Sequence, residues 1–241
     1  MLKLHDSLYF TSDIFNENIL AVFSTRKLSF FKNDKKIFST IKSLFPFIKA
    51  IFASHQVHGN KILFLSNKYE QKKGFFQLGK ADGLIANFSN VALMVFTGDC
   101  LPVILSDGIN IGIYHAGWRG SLANIASNAV SIFKKFGSRI SNIKVAFGPS
   151  IGVCCYSINK EIAEHFSRKY PYWKDKILQK RERKIFLDFS LLNFLQLLES
   201  GIKRENIDFC PFCTSCDARF FSLRRDKQLK KQMVSFVVKK I

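Results

Sequence analysis

Acidic residues are scarce in this 241-residue chain: 18 Asp and Glu stand against 37 Lys and Arg, a formal charge of +19. Prolines number 5 and glycines 13, and no Ser/Pro/Gly-rich stretch divides the sequence, so residues 1–241 read as one domain. Long apolar runs are missing too. The longest uncharged stretch, Gly83 to Gly98, falls short of the about 20 residues that cross a bilayer and carries Asn, Ser and Thr, which excludes a membrane span. Met1 to Phe10 contains His5 and Asp6 where a secretory leader needs an apolar stretch ending in small residues. The 6 cysteines therefore read as reduced thiols or ligands in a cytoplasmic protein rather than as a disulfide framework.

What is present is an ordinary core and an unusual charge. Hydrophobic residues make up 47% of the chain and phenylalanine alone contributes 26, enough for a large core and too many for a disordered or collagenous chain. The basic excess suggests nucleic acid, since clustered Lys and Arg release counterions when they meet phosphates. Its distribution argues otherwise. Residues 81–156 carry only 5 basic and 3 acidic side chains, and no basic run reaches the length of a nucleic-acid patch. Most of the lysines read as solvated surface, and neither nucleic acid nor a membrane is expected as a partner.

Short runs rich in Val, Ile and Phe predict strands at Ile19–Phe23, Ile48–Ala53, Ile62–Leu65, Val91–Phe96, Val103–Leu105, Ile109–Tyr114, Lys144–Phe147 and Met233–Val238. Helical periodicity predicts helices over Leu122–Phe136, Lys160–Lys169 and Leu191–Leu198, the last with Asp188 as N-cap and Gly201 as its stop. The fold class is α+β, a mixed α/β arrangement of central mixed sheets flanked by helices.

Four segments set Gly or Pro beside reactive side chains: 54–59 (SHQVHG), 97–102 (TGDCLP), 115–120 (HAGWRG) and 148–156 (GPSIGVCCY). Glycine there permits tight turns and close approach of the backbone to a ligand. His58, Cys100 and His115 fall near predicted strand ends, where a rigid sheet holds a side chain open to a cleft. One thiolate and two imidazoles are a plausible zinc set, and three ligands leave a fourth position free for water or substrate, as in catalytic sites. The plainer reading is three separate structural residues.

These segments resemble the signature blocks of the YfiH-like family, whose members are variously named laccase-domain or polyphenol-oxidase proteins, peptidoglycan editing factors and purine nucleoside phosphorylases. The matching blocks stand at residues 56–59, 99–102, 115–120 and 148–156, with Cys213-Thr214 and Phe220 to Arg225 near the C-terminus. The resemblance implies His58, Cys100 and His115 as the metal ligands, zinc as the cofactor, and purine nucleosides and phosphate as substrates. Phosphorolysis of adenosine, inosine, guanosine or methylthioadenosine and hydrolytic deamination of adenosine are the implied reactions. For deamination, Asp99 is the candidate acid/base, with the alternative that it orients a ligand histidine. For phosphorolysis a cation must hold phosphate against C1′; Arg26 is the first choice and Arg119 the second, with Gln56 as a further substrate-binding residue.

The chain departs from the family pattern after Arg26, where the segment is shortened, and at Ser157 and Leu223, which replace an acidic residue and a tyrosine. Cys210, Cys213 and Cys216 form a metal-like triplet with no fourth ligand close in sequence, and Cys154 and Cys155 read as small buried or cleft-lining residues. Two other enzyme classes remain open: a copper-dependent polyphenol oxidase, which 5 histidines supply poorly, and a cysteine hydrolase acting on peptidoglycan precursors with Cys100 as nucleophile and His115 as base.

Overall fold

Apolar residues run almost unbroken through the central segments, a pattern that belongs to strands covered on both faces. The computed structural model describes residues 1–31 and 34–241 and accounts for that pattern with two stacked sheets. The first half of the chain contributes β1 (Leu2–His5), β2 (Tyr9–Ser12), β3 (Ile19–Ser24), β4 (Ser29–Phe30), α1 (Ile37–Leu44), β5 (Ala50–His55), β6 (Ile62–Phe64), β7 (Gly74–Lys80), β8 (Gly83–Ala86), β9 (Val91–Thr97), β10 (Leu101–Ser106) and β11 (Ile111–Ala116). There follow α2 (Trp118–Leu122), α3 (Ile125–Lys135), β12 (Lys144–Phe147), β13 (Ser157–Ile158), α4 (Lys160–Lys169), α5 (Lys174–Ile177), β14 (Leu178–Arg181) and β15 (Lys184–Leu187). The chain ends with α6 (Phe189–Glu199), β16 (Ile207–Asp208), α7 (Leu223–Asp226) and β17 (Gln232–Lys239).

The first sheet has the order β1-β2-β3-β17-β9-β5-β7, with β4 also on β17; the second has the order β16-β12-β10-β11-β8-β6; a small third sheet is β13-β15-β14. Both large sheets are mixed: β5 runs parallel to β7 and β9, and β6 parallel to β8, among otherwise mostly antiparallel neighbours. Successive side chains on a strand point to opposite faces, so each run splits between two cores. Phe52, Leu93 and Val95 meet Leu84, Ile104 and Ile113 between the sheets. On the far side of the first sheet, Ile51, Met94 and Phe236 pack under Ile37 and Ile41 of α1. On the far side of the second, Val103, Leu105 and Phe147 pack against Ile125, Phe133, Leu192 and Leu197 of α3 and α6. The mixed α/β class expected from the sequence is the class observed.

Three details differ from the sequence expectations. The helix predicted over Leu122–Phe136 begins only at Ile125 as α3, and a separate short α2 ends at Leu122, because Asn124 adopts a left-handed conformation (φ 60°) and its Oδ1 accepts from the Ser127 N–H at 3.3 Å to start α3. The run at Ile48–Ala53 becomes a strand only from Ala50 onward. The β1–β2 hairpin is reversed through Asp6, Ser7 and Leu8 between paired His5 and Tyr9, with Asp6 and Ser7 both at positive φ and no glycine of the kind by which such turns are usually spotted. Elsewhere the local signals hold: Asp188 caps α6 by accepting from the Leu191 N–H at 2.8 Å, and Gly201 follows at φ +94°.

Candidate metal-binding cleft

The three sequence-predicted ligands converge where the two sheets meet. His58 lies in the loop after β5 of the first sheet, Cys100 in the crossing from β9 to β10, and His115 within β11 of the second sheet. Their donor atoms all lie within 4.8 Å of one another. Bonds of about 2.0 Å to nitrogen and 2.3 Å to sulfur put donors in a tetrahedral site roughly 3.5 Å apart, so this set fits one soft ion after a small contraction. Two glycines make the convergence possible. A Cβ on Gly117 would come within 2.9 Å of the His58 ring and 3.3 Å of the Cys100 sulfur, and one on Gly120 within 2.7 Å of the Gly59 carbonyl oxygen.

Behind the triad lies a residue that the sequence reading missed. Asp82, just before β8, is wholly buried, and its carboxylate accepts four hydrogen bonds. One comes from His115 Nδ1 at 3.0 Å; the others come from the backbone N–H groups of Val57 (3.2 Å), His58 (2.9 Å) and Gly59 (2.7 Å). These bonds hold His58 at a left-handed φ of 60° and leave Nε2 of His115 free for a ligand. The carboxylate bonded to His115 is that of Asp82, whereas Asp99, considered for that position from sequence, bonds Thr214 and the Arg224 N–H instead. The signal available in the sequence was thin: one carboxylate before Gly83 in a stretch with few acidic residues.

The electrostatics follow from this packing. Burial pushes the Cys100 thiol up, but His115 and His58 beside it outweigh burial and bring it down to about 6. Burial alone would depress the His115 imidazole, yet the Cys100 sulfur and Asp82 raise it to about 9. Burial also favours the neutral form of Asp82, and the hydrogen bonds from His115, Gly59 and Val57 overcome that and leave it below the ordinary carboxylate range.

Two lobes open on either side of the triad. The first, about 380 Å³, is walled by Trp118, Ile151, Tyr156 and Phe189, with Arg119, Arg224 and Lys227 at its rim. The second, about 500 Å³, is lined by Gln56, Phe96, Thr97, Leu229 and Lys230. Asp99 borders both lobes, and its carboxylate accepts from Thr214 Oγ1 (2.6 Å) and the Arg224 backbone N–H (2.8 Å). Burial outweighs these bonds and raises its pKa above the usual carboxylate value. Gln56 lines the second lobe while its amide closes a pair of hydrogen bonds with the Phe96 backbone, both 2.8 Å.

Arg119 stacks on Trp118, its guanidinium carbon 4.3 Å from the ring centroid, and forms no salt bridge among the described residues. Arg26, by contrast, lines neither lobe; it donates to the Ala218 carbonyl at 3.2 Å and lies over Phe221. Arg224, in the Phe220–Arg225 block, is a lining residue of the first lobe that the sequence does not single out. It reaches Ser157 Oγ at 2.8 Å and the Ser157 carbonyl at 2.9 Å, so the position where the family carries an acidic residue here holds an arginine with neutral acceptors. Leu223, the other departure, borders both lobes.

Fold and cleft together define a mixed α/β protein with an open Cys/His/His cluster fitted to one metal ion. Residues 32–240 match the family described as multi-copper polyphenol oxidoreductase laccase. The purine nucleoside phosphorylase YlmD of Geobacillus stearothermophilus is 34% identical over 194 residues, which cover 76% of this chain and 69% of that protein. Adenosine deaminase RL5, from an unknown prokaryotic organism, is 31% identical over 149 residues, covering 60% of this chain and 56% of that one. The crystal structure of the Bacillus licheniformis hypothetical protein YfiH is 25% identical and superposes with a TM-score of 0.87 over 99% of both chains. The chain belongs to this laccase-like YfiH family.

Proposed function

We propose that residues 1–241 act as one catalytic domain, a cytoplasmic zinc-dependent purine nucleoside enzyme whose main reaction is phosphorolysis. The observation that carries this reading is a single cleft in which an open Cys/His/His cluster faces an aromatic wall and a rim of cations. The names of the two relatives above agree with it. When bound by His58, Cys100 and His115, zinc supplies Lewis acidity at an open coordination position.

The remaining work falls to the protein. Trp118, Tyr156 and Phe189 offer apolar faces of the size a purine stacks on. Arg119 and Lys227, with Arg224 behind them, draw phosphate into the first lobe and lower the cost of bringing a dianion against C1′ of the ribose. A phosphate oxygen then bonds to C1′ as the glycosidic C–N bond breaks; the base leaves with the electron pair and takes up a proton. Asp99, raised above the usual carboxylate range at the edge of both lobes, serves as the group that passes protons there. The same proton relay suits replacement of the C6 amine of adenine by water. Arg26, outside both lobes, has no part in the phosphate set.

Product analysis of zinc-loaded protein tests this directly. Inosine should yield free base and ribose 1-phosphate only when phosphate is present, and adenosine should yield adenine or inosine. No turnover across a nucleoside panel by fully loaded protein would sink the reading.

One observation favours a second class. Cys100, His115 and Asp82 line up as thiol, imidazole and carboxylate, the order of a cysteine hydrolase. Rapid alkylation of Cys100 that abolishes an amidase activity in metal-free protein would support that class over the first.

A further inference from the structure

Sequence separation hides a second cluster. The sequence suggests Cys154 and Cys155 as small buried or cleft-lining residues and gives the Cys210/Cys213/Cys216 triplet no fourth ligand nearby. The structure regroups them: the sulfurs of Cys154, Cys155, Cys213 and Cys216 all lie within 4.8 Å of one another, while Cys210 stays outside. Cys216 Sγ is 3.6 Å from that of Cys154 and 3.3 Å from that of Cys155.

We propose that these four cysteines form a second metal site, a closed structural zinc centre that ties residues 148–156 to residues 210–217. Four bonds of about 2.3 Å set tetrahedral sulfurs roughly 3.8 Å apart, close to the separations observed. An iron–sulfur cluster spreads its four thiolates over two or four irons rather than one ion, and so needs the sulfurs further apart. A disulfide would use two of the sulfurs and leave the gathering of the other two without a cause.

The backbone is arranged for this ligand set. Ser150 and Cys213 form an isolated parallel bridge, and Thr214 N–H donates to the Ser150 carbonyl at 3.0 Å. Gly152 N–H donates to Cys213 Sγ at 3.2 Å, a bond that favours a thiolate acceptor. Cys213 turns tightly into Cys216, whose N–H and that of Asp217 both reach the Cys213 carbonyl (3.2 and 3.0 Å). A side chain at Gly152 would meet Cys154 Sγ at 3.2 Å and Cys213 Cβ at 3.4 Å, so the sulfurs approach over a residue with none.

Binding replaces four S–H bonds by four S–Zn bonds and releases four protons to solvent, leaving the centre with a net charge of two negative. Two guanidiniums bind the backbone of these loops, Arg225 while also paired with Asp226 at 2.8 Å. Arg224 donates to the Cys155 carbonyl at 3.2 Å, and Arg225 to the carbonyls of Thr214 (2.9 Å), Asp217 (3.3 Å) and Ser215 (3.4 Å). Cys154 and Cys216 are exposed, which gives an ion a route in.

The centre would brace the substrate cleft without entering it. Ile151 and Tyr156 of the first loop wall the first lobe, and Thr214 of the second holds Asp99. Zinc here therefore acts as a clamp on one wall, independent of the chemistry assigned to the triad.

Metal counting on full-length protein purified under reducing conditions tests the proposal. Wild type should carry two zinc ions per chain; Cys216→Ser and Cys154→Ser should each carry one, His58→Ala one, and the Cys216→Ser/His58→Ala double variant none. Cys154 is exposed, so its variant keeps the test valid if Cys216→Ser fails to fold; Cys210→Ser should retain both ions. Exposed Cys154 and Cys216 should resist alkylation until a chelator is added. One zinc in wild type that is lost completely in His58→Ala, iron with sulfide in place of zinc, or a disulfide found within the cluster by mass analysis would each overturn it.

Discussion

The two cysteine-containing clusters of this chain are built from different materials. The triad hangs on sheets: His115 is a residue of β11, Cys100 directly precedes β10, and buried Asp82 ties the His58 loop to the second sheet. The four-cysteine cluster hangs on two loops about sixty residues apart in sequence, joined by an isolated bridge and a few backbone bonds. A ligand set fixed by strands is preorganised before metal arrives, so little binding energy goes into ordering the chain. A ligand set fixed by loops gains its order from the metal, and the binding energy becomes local folding energy. The first arrangement suits an open position that does chemistry, and the second suits a closed centre that does none.

The sharpest way to break the comparison is to remove one sulfur from each cluster. Cys100→Ser should reduce nucleoside turnover by about a thousandfold, since a catalytic metal is worth several kcal/mol of barrier and each 1.4 kcal/mol is a factor of ten. It should leave the melting temperature of the metal-free protein almost unchanged. Cys216→Ser should do the reverse, lowering the melting temperature of the zinc-loaded protein while kcat falls far less. Matched kinetics and thermal melts of the two variants measure both. Equal effects on both readouts would erase the distinction.

Asp82→Asn comes next. It keeps the size but removes the charge, and it puts an NH₂ donor where one oxygen now accepts, so that either the loop amides or the His115 Nδ1–H lose an acceptor. Metal affinity of the triad should drop about 10- to 100-fold, the usual effect of losing such a partner, with the other cluster unaffected. Isothermal titration against zinc, with the four-cysteine cluster blocked by Cys216→Ser, isolates that constant.

Legibility from sequence follows the same division. Short Gly- or Pro-containing blocks beside apolar runs draw attention to His58, Cys100 and His115, but it is the blocks' resemblance to the YfiH-like family that joins the three as one ligand set; the apolar runs became strands close to where they were expected. Asp82 was not readable because its partners, the amides of residues 57–59 and the His115 ring, are assembled only when the sheets stack. The four-cysteine cluster was half visible. Spacing along the chain grouped Cys210 with Cys213 and Cys216, yet the 210–217 loop turns Cys210 away and brings Cys154 and Cys155 in from a distant loop. From sequence Arg26 ranks ahead of Arg119 as the phosphate cation; in the structure Arg26 packs against Phe221 outside both lobes while Arg119 lines the first.

The pH dependence of metal uptake by the triad carries its own sign. Between about 6 and 9 the metal-free site holds Cys100 as thiolate and His115 as imidazolium, so ligation must displace the His115 proton. Affinity should then rise about tenfold per pH unit across that window and flatten above about 9, as expected for one proton exchanged per ion. Below about 6 the thiol is protonated as well, and the slope should steepen toward two protons. Competition against a chelator of known affinity, run from pH 5 to pH 10 on Cys216→Ser protein, reads the slope. A flat profile would mean that the thiolate–imidazolium pair is not the resting state.

The smallest effect is expected at the rim of the first lobe. Arg119 is exposed on α2 with its guanidinium over Trp118, and it lines the first lobe without hydrogen-bonding any of the three ligand side chains among the described residues. Losing one charge-assisted contact to an anion costs about 1.5 kcal/mol, which corresponds to about a tenfold rise in KM for phosphate. If the contact is equal in the ground and transition states, kcat should stay within about twofold. Arg119→Ala should show this split, Arg119→Lys should recover part of the loss, and Arg26→Ala should leave both constants at their wild-type values. An equal loss at Arg26 would move the phosphate site out of the cleft and onto the face that carries Ala218 and Phe221.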